Sequence, residues 1–100
     1  MTIRHIVCWK LSALTPRKKA EDAAGIVAGL EALVGVVPEI RALTVGPDVA
    51  GDENWDVALI ADFDDLEALD RYQKHPEHKK AGAFIRTVVA DRLAVDLEVS

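Results

Sequence analysis

Two segments of the chain alternate with the two-residue period of a β-strand and yet carry apolar side chains on both faces. In residues 2–11, Val7 and Trp9 share one face, whereas Ile6 lies on the other. Residues 55–63 repeat this arrangement. A strand that is apolar on both faces must be covered on both, so we expect these two segments at the centre of a sheet.

Two further strands are predicted, and both differ from the central pair. Residues 41–46 form a short strand before a turn-rich, acidic loop. Residues 91–99 alternate apolar residues such as Leu93 and Leu97 with polar ones such as Asp96. This one-sided pattern is typical of a strand at the edge of a sheet.

Helices are predicted between the strands. Thr15 is a good N-cap and Pro16 fits the first helical position, so a helix begins there and ends near Gly35. A second helix ends two residues before Pro76, because proline disfavours helical geometry at the residue it follows. A further helical stretch covers residues 77–89. The predicted inward residues are Ala20, Ala23, Ala24, Val27, Leu30 and Val34, widened by Ile26 and Leu33, and then Ala81, Phe84 and Val88.

The order of these elements is β-α-β-β-α-β, which is the ferredoxin-like plan of the α+β class, with a four-stranded antiparallel sheet. One hundred residues make a single domain, residues 1–100, with room for one hydrophobic core.

Helices on one side of such a sheet leave its other face open. The open face carries either the residues that alternate with His5 or the set that contains Ile6 and Cys8. We expect the His5 set, which comprises Ile3, Val7 and Trp9 and is joined by Val57 and Leu59. An apolar face of this size exceeds what most monomers expose, so we predict a homodimer packed through the open sheet face.

Composition excludes several classes of partner. The net charge of −5 and the lack of a large basic cluster argue against nucleic acid. The single cysteine, Cys8, cannot form an internal disulfide and is predicted to be a buried small hydrophobe. The first apolar run is too short to span a bilayer and no targeting signal is visible. We therefore expect no membrane association, and cytoplasmic residence is the default.

All three histidines and the only tyrosine gather in one predicted catalytic site. His5 lies in the middle of the first strand, and Tyr72, His75 and His78 lie within seven residues of one another. Histidine is suited to proton transfer near neutral pH, so these residues are the best candidates in the chain for acid–base chemistry. No cofactor is expected.

Each of these residues also has a structural interpretation. Tyr72 continues the apolar stripe of its helix, His78 could cap the last helix, and His5 could be a neutral histidine bonded across the sheet. His75, directly before a proline, is typical of an exposed loop residue. A metal site at His75 and His78 is disfavoured, because the Pro-Glu step between them prevents the two rings from sharing a helical face.

Several parts of the chain carry a family resemblance. They include Ile3-Arg4-His5-Ile6-Val7-Cys8-Trp9-Lys10-Leu11, then Trp55-Asp56-Val57-Ala58-Leu59, then His75-Pro76-Glu77-His78, and finally Ala94-Val95-Asp96-Leu97-Glu98. The first resembles the opening strand of the stress-responsive A/B barrel domain (Dabb) family, and the third resembles its His-Pro-x-His signature. The resemblance covers nearly the whole chain and implies a dimeric α+β barrel.

The resemblance also implies site residues. One plant member of that family, olivetolic acid cyclase, closes a linear polyketide by aldol condensation without a metal or organic cofactor. Matched to its motif, Tyr72 and His78 would be the catalytic pair, and His5 would support them in the cavity. In such a site His78 would be the base that enolises a carbonyl compound and the Tyr72 hydroxyl would donate to the developing oxyanion. His5 would orient either group or bind a carbonyl oxygen. The candidate substrate-binding residues are Trp9, Val27, Val57, Leu59 and His75.

Three functions are compatible with this sequence. The first, which we favour, is a cofactor-free enzyme or binder that acts on a small carbonyl or polyketide-like molecule. The second is a non-catalytic stress-response or assembly dimer whose cavity is filled. The third is a cofactor-free monooxygenase-like protein, which would need an aromatic substrate able to react with oxygen.

Overall fold

The computed structural model describes the whole chain, Met1–Ser100. Its elements are β1 (Thr2–Leu11), α1 (Pro16–Glu31), β2 (Ala42–Pro47), β3 (Val57–Phe63), α2 (Leu66–Lys74), α3 (Pro76–Val88) and β4 (Val89–Val99). The strands form one antiparallel sheet in the order β2-β3-β1-β4. The predicted ferredoxin-like fold is therefore confirmed, with its second helical region divided into α2 and α3.

The two strands that are apolar on both faces, β1 and β3, occupy the centre of the sheet as predicted. Their pairing runs from Ile3 opposite Phe63 to Trp9 opposite Val57. β4 is the predicted edge strand and pairs with β1 along nearly its whole length. The pairing of the strands, which local sequence patterns do not give, determines which of their residues lie next to one another.

The two faces of the sheet are the reverse of the expectation. Ile3, His5, Val7 and Trp9 face the helices, and each is at most 5% exposed. Val57 and Leu59 lie on the same side and are each 2% exposed. The prediction that the His5 set forms the open face is wrong, and the Ile6 and Cys8 set occupies it. Both sets are apolar, but the set with Trp9 is larger and buries more area against the helices.

The open face is apolar at its centre. It comprises Ile6, Cys8, Ala58, Ile60, Leu93, Val95 and Leu97. Ile60 is 43% exposed and Val95 is 50% exposed. An ion pair borders this surface, in which the Arg4 guanidinium donates to both carboxylate oxygens of Asp62 at 2.9 and 3.1 Å. No element of the chain covers this face.

α1 begins as predicted, since the Thr15 hydroxyl accepts a hydrogen bond from the backbone N–H of Lys18 in the first turn. The helix ends at Glu31, earlier than predicted, and turns follow that place Gly35 at a φ of +84°. Glycine adopts this left-handed geometry at little cost, so it marks a turn and not the helix end. The inward residues of α1 and the following turn are Ala23, Ile26, Leu30 and Leu33. The predictions of Ala20, Ala24 and Val34 as inward residues are wrong, because both alanines are exposed and Val34 is 56% exposed.

α3 and β4 leave the space between the helices and the sheet open at one edge. In α3 the buried residue is Ile85, whereas Phe84, predicted to face inward, is 42% exposed. β4 follows α3 without a linker, and its residues 90–98 are all exposed. The space between helices and sheet is therefore open along the β4 edge. None of the helices is long and apolar enough to cross a membrane.

Candidate active site

A cavity of about 350 Å³ lies between the helix-facing side of the sheet and helices α2 and α3. Its lining includes His5 from β1, Tyr72 from α2 and His78 from α3. Val7, Trp9, Leu30, Leu59 and Ile85 supply its apolar walls. The three residues predicted to be catalytic thus converge on one cavity from three different elements.

His5 is oriented by a carboxylate from the neighbouring strand. The register of β1 with β4 places His5 directly opposite Asp96, and Nδ1 of His5 lies 2.5 Å from Oδ1 of Asp96. A carboxylate accepts hydrogen bonds, so the Nδ1–H of His5 donates to Asp96 and Nε2 is the nitrogen left for other contacts. The His5 side chain is 4% exposed and that of Asp96 is 40% exposed. Asp96 therefore links a buried imidazole to the open edge of the sheet.

Tyr72 is fully buried among aromatic rings. Its ring centroid lies 4.8 Å from that of Phe63, 4.4 Å from that of His78 and 6.3 Å from that of His5. Its hydroxyl has no hydrogen-bond partner. Burial raises the pKa of Tyr72 to about 12, and the positive charge of Arg92 opposes this shift. The phenol therefore stays protonated and keeps a donor available.

His78 has the properties of a base near neutral pH. Its Nδ1 lies 3.2 Å from the carbonyl oxygen of Gln73. A carbonyl only accepts, so Nδ1 carries the proton and Nε2 of the neutral ring carries a lone pair. Burial lowers the pKa of His78 below its ordinary value, while the bond to Gln73 acts in the opposite direction. The neutral form therefore predominates at pH 7.

The break between α2 and α3 brings Tyr72 and His78 together. His75 ends α2 in an extended conformation, with φ −62° and ψ 136°, and Pro76 begins α3. Nδ1 of His75 accepts a hydrogen bond from the amide of Glu77 at 3.1 Å and so caps α3. The capping histidine is therefore His75, whereas His78 lies in the first turn of α3.

The structure brings some of the predicted substrate-binding residues to this cavity and places others elsewhere. Trp9 and Leu59 line it. Val57 lies in the core beside it, and Val27 lines a separate cavity between α1 and the loop after β2. His75 does not line the cavity, because its ring caps α3.

Three charged residues of the site escaped the sequence-based prediction. Asp96 contacts His5, and Arg86 and Arg92 line the cavity. The polar side of the last strand was the available signal, since Arg92 and Asp96 both lie on it. The alternation alone predicts only an edge strand that is polar on one side, whereas in the structure this polar side faces the cavity. No group of three or more His, Cys, Asp or Glu side chains is arranged to hold a metal ion.

The chain resembles several proteins over nearly its full length. An uncharacterised protein of Streptomyces coelicolor is 32% identical over 94 residues, which cover 89% of this chain and 96% of that protein. A dimeric ferredoxin-like protein of unknown function from Bacteroides fragilis is 31% identical, with a TM-score of 0.91 and coverage of 98% of this chain and 96% of that one. A similar dimeric protein from Thermobifida fusca is 33% identical, with a TM-score of 0.83 and coverage of 99% and 92%.

The fold also recurs at much lower identity. A hydroxynitrile lyase from Passiflora edulis is 15% identical, with a TM-score of 0.79 and coverage of 99% of this chain and 94% of that one, a likeness that shows the fold alone.

The family model of the stress-responsive A/B barrel domain matches residues 3–99. That match spans every strand and helix described above, and the chain therefore belongs to the stress-responsive A/B barrel domain (Dabb) family.

Proposed function

We propose that the cavity binds a small carbonyl compound and catalyses proton transfer at the carbon next to the carbonyl, without a cofactor. His78 is the base, Tyr72 is the hydrogen-bond donor to the oxyanion, and His5, held by Asp96, positions the substrate. The chemistry resembles the aldol cyclisation of polyketides, in which an enolate attacks a second carbonyl of the same molecule.

The observation that carries this proposal is the unpartnered hydroxyl of Tyr72. Leaving a buried hydroxyl without a partner costs about 1–3 kcal/mol, so such groups are rare in native proteins. A phenylalanine would fill the same space without that penalty. A substrate oxygen would supply the missing partner. Because the hydroxyl is covered, an arriving ligand has to displace a neighbouring side chain before it bonds to it.

The neighbours of Tyr72 fit the roles that this chemistry needs. Nε2 of His78 is the unprotonated nitrogen, and its ring lies against Tyr72. A base with a pKa near or below neutrality is unprotonated at working pH and ready to accept a proton. Apolar walls keep water away from the enolate, which strengthens the hydrogen bond that Tyr72 donates. The resemblance of Tyr72 and His78 to the catalytic pair of olivetolic acid cyclase supports the same assignment.

The proposed step balances without an external reagent. Nε2 of His78 takes a proton from the carbon next to the carbonyl, and the electron pair of that C–H bond forms the enolate double bond. The carbonyl oxygen takes the negative charge and accepts a hydrogen bond from Tyr72. When the enolate carbon attacks a second carbonyl, a C–C bond forms, and the new alkoxide takes the proton back from His78.

Hydrogen–deuterium exchange tests this step before the natural substrate is known. Methyl ketones such as 4-phenyl-2-butanone are incubated in deuterated water, and loss of the protons next to the carbonyl is followed by NMR. We expect the wild-type protein to accelerate the exchange. His78→Ala should lower the rate by about 10²–10⁴-fold, the usual contribution of a general base. Lys79→Ala, next to His78 but outside the cavity, is the matched control.

Two other results would redirect the assignment. If no ketone exchanges faster with the wild-type protein than with His78→Ala, the enzymatic proposal fails and a non-catalytic module is favoured. If oxygen is consumed during turnover of an aromatic substrate, the monooxygenase alternative is favoured.

The exposed apolar sheet face supports a second role, as the interface of a homodimer. Ile60, Leu93, Val95 and Leu97 are each between 41% and 50% exposed on it. A monomer rarely presents a contiguous surface of this kind to water. The relatives from Bacteroides fragilis and Thermobifida fusca, both above 30% identity, are described as dimeric. We propose that two copies of this chain pack through the open face, which leaves both cavities free for ligand.

A further inference from the structure

Two arginines line the cavity without a carboxylate partner in the chain. Arg86 of α3 and Arg92 of β4 both line it, and both residues are exposed. Neither guanidinium forms an ion pair. Arg4, Arg41 and Arg71, by contrast, each hold a carboxylate of this chain. The two cavity arginines are therefore unneutralised, although the chain carries 17 acidic residues against 12 basic ones.

The conformation of Arg86 directs its charge to the cavity. A Cβ placed on Gly82, one turn earlier in α3, would lie 3.5 Å from Nη1 of Arg86. The arginine side chain thus folds back along its own helix over Gly82, which also lines the cavity. Extended into water, the same side chain would carry its charge away from the site.

Arg92 is placed by the register of the sheet. It lies opposite Trp9, on the same side of β4 as Asp96, which lies opposite His5. Arg92 and Asp96 are four positions apart in the strand, so their Cα atoms lie about 13 Å apart at ~3.3 Å per residue. The carboxylate of Asp96 is already bonded to His5. The backbone position of Arg92 is therefore distinct from the place where His5 and Asp96 meet.

These placements define what a ligand should carry. The planar fork of an arginine forms paired hydrogen bonds with a carboxylate, and these bonds are stronger than those between neutral groups. A cavity of about 350 Å³ is at the lower end of ligand pockets, so the molecule is small. Apart from Gln73, Gly82 and the His5, Tyr72 and His78 side chains, its remaining walls are apolar. A small chain with a carboxylate at one end and a carbonyl further along matches all three features.

We propose that Arg86 and Arg92 bind the carboxylate of the substrate, so that the compound acted on is a small oxo acid that enters with its carbonyl towards Tyr72 and His78. This inference rests on the proposed function and adds the class of substrate. Arg86 and Arg92 are specificity residues, and the proton is transferred at His78.

A matched pair of ligands tests the proposal. Binding of 6-oxoheptanoate and of its neutral methyl ester is measured by NMR titration, using the imidazole signals of His5 and His78. We expect the acid to bind wild-type protein at least about tenfold more tightly than the ester, as the loss of one charged hydrogen bond implies. Arg86→Gln and Arg92→Gln should each lose this preference, because they weaken binding of the acid much more than binding of the ester. Arg17→Gln, an exposed arginine of α1 outside the cavity, removes the same charge and should keep it.

The outcomes separate this inference from the proposed function. If acid and ester bind equally and Tyr72→Phe weakens both, the cavity is a carbonyl site and the carboxylate inference is overturned. If neither ligand binds wild-type protein at millimolar concentration, both the inference and the proposed function are overturned. If inorganic phosphate displaces the acid and binds more tightly with the same dependence on both arginines, the carboxylate assignment is overturned in favour of a phosphorylated compound.

Discussion

His5 and Asp96 are ninety-one residues apart in sequence, and yet Nδ1 of the first lies 2.5 Å from Oδ1 of the second. The antiparallel register of β1 and β4 sets the two residues directly opposite each other. One partner is buried and the other is at the open edge of the sheet. Asp96, on the uncovered strand β4, thus fixes the orientation of the His5 imidazole in the cavity.

Removing this carboxylate should affect catalysis more than stability. In Asp96→Asn the side chain keeps its shape but loses its charge, so the His5 ring loses its fixed tautomer and orientation. We expect about a tenfold lower exchange rate, with little change in the free energy of unfolding because Asp96 is exposed. NMR of the imidazole nitrogens should show a changed tautomer at His5. Glu98→Gln, on the same side of β4, is the matched control, and an equal loss of rate in it would contradict the positioning role.

Because the Tyr72 hydroxyl has no partner, its removal should raise the stability of the protein and lower its activity. Tyr72→Phe removes a buried donor that has no partner, so the free energy of unfolding should rise by up to about 1 kcal/mol. The rate of ketone exchange should fall by about 10²-fold or more, because the oxyanion loses its donor. Urea denaturation and the NMR exchange assay measure the two quantities. Lower stability together with an unchanged rate would show that the hydroxyl is bonded in solution and has no catalytic role.

The lowered pKa of His78 predicts a one-sided pH profile. The rate should be constant above pH 7 and should fall as pH drops below 6.5 and His78 becomes protonated. No decline is expected on the alkaline side before Tyr72 ionises near pH 12. A bell-shaped profile with an alkaline limb near pH 8 would require a different acid. Exchange rates measured from pH 5 to pH 10, corrected for the buffer reaction, provide the test.

The same pKa shift links His78 to stability. Its pKa is lower in the folded chain than the ordinary value of 6.5, so the unfolded chain binds the proton more readily. The free energy of unfolding should therefore be unaffected by this group above pH 6.5 and should fall as pH decreases through the folded pKa. His78→Gln should remove this part of the pH dependence. Urea denaturation at pH 7.5 and pH 5.0 compares the two proteins, and identical pH dependence in both would contradict the shift.

The open sheet face predicts a dimer that a single charge disrupts. Val95→Lys places an ammonium group on this face beside Ile6, where it would be buried without a counter-charge in the dimer. The protomer should still fold, because Val95 is half exposed in the single chain. Sedimentation analysis should show a dimer for the wild-type protein and a monomer for the variant. Leu14→Lys, at a residue that is 96% exposed in a loop, is the control and should remain dimeric.

Local patterns determined much of this protein without reference to its structure. The positions of β1 and β3 follow from their apolar residues on both faces, because a central strand has no solvent-facing side. The junction at His75-Pro76 follows from the geometry that proline imposes on the residue before it. The gathering of His5, Tyr72 and His78 was also visible, since few other side chains of the chain transfer protons near neutral pH.

Tertiary structure decided the features that depend on competition between similar surfaces. The alternation in β1 gives two apolar sets, and only packing against the helices selects the one with Trp9 and His5 for the core. The polar side of β4 faces either solvent or a cavity, depending on how far the helices extend over the sheet towards β4. No local sequence pattern predicts that extent. Arg92 and Asp96 therefore became site residues only through the pairing of β4 with β1. Alternation along a strand defines two faces, whereas their environment is set by contacts between residues distant in sequence.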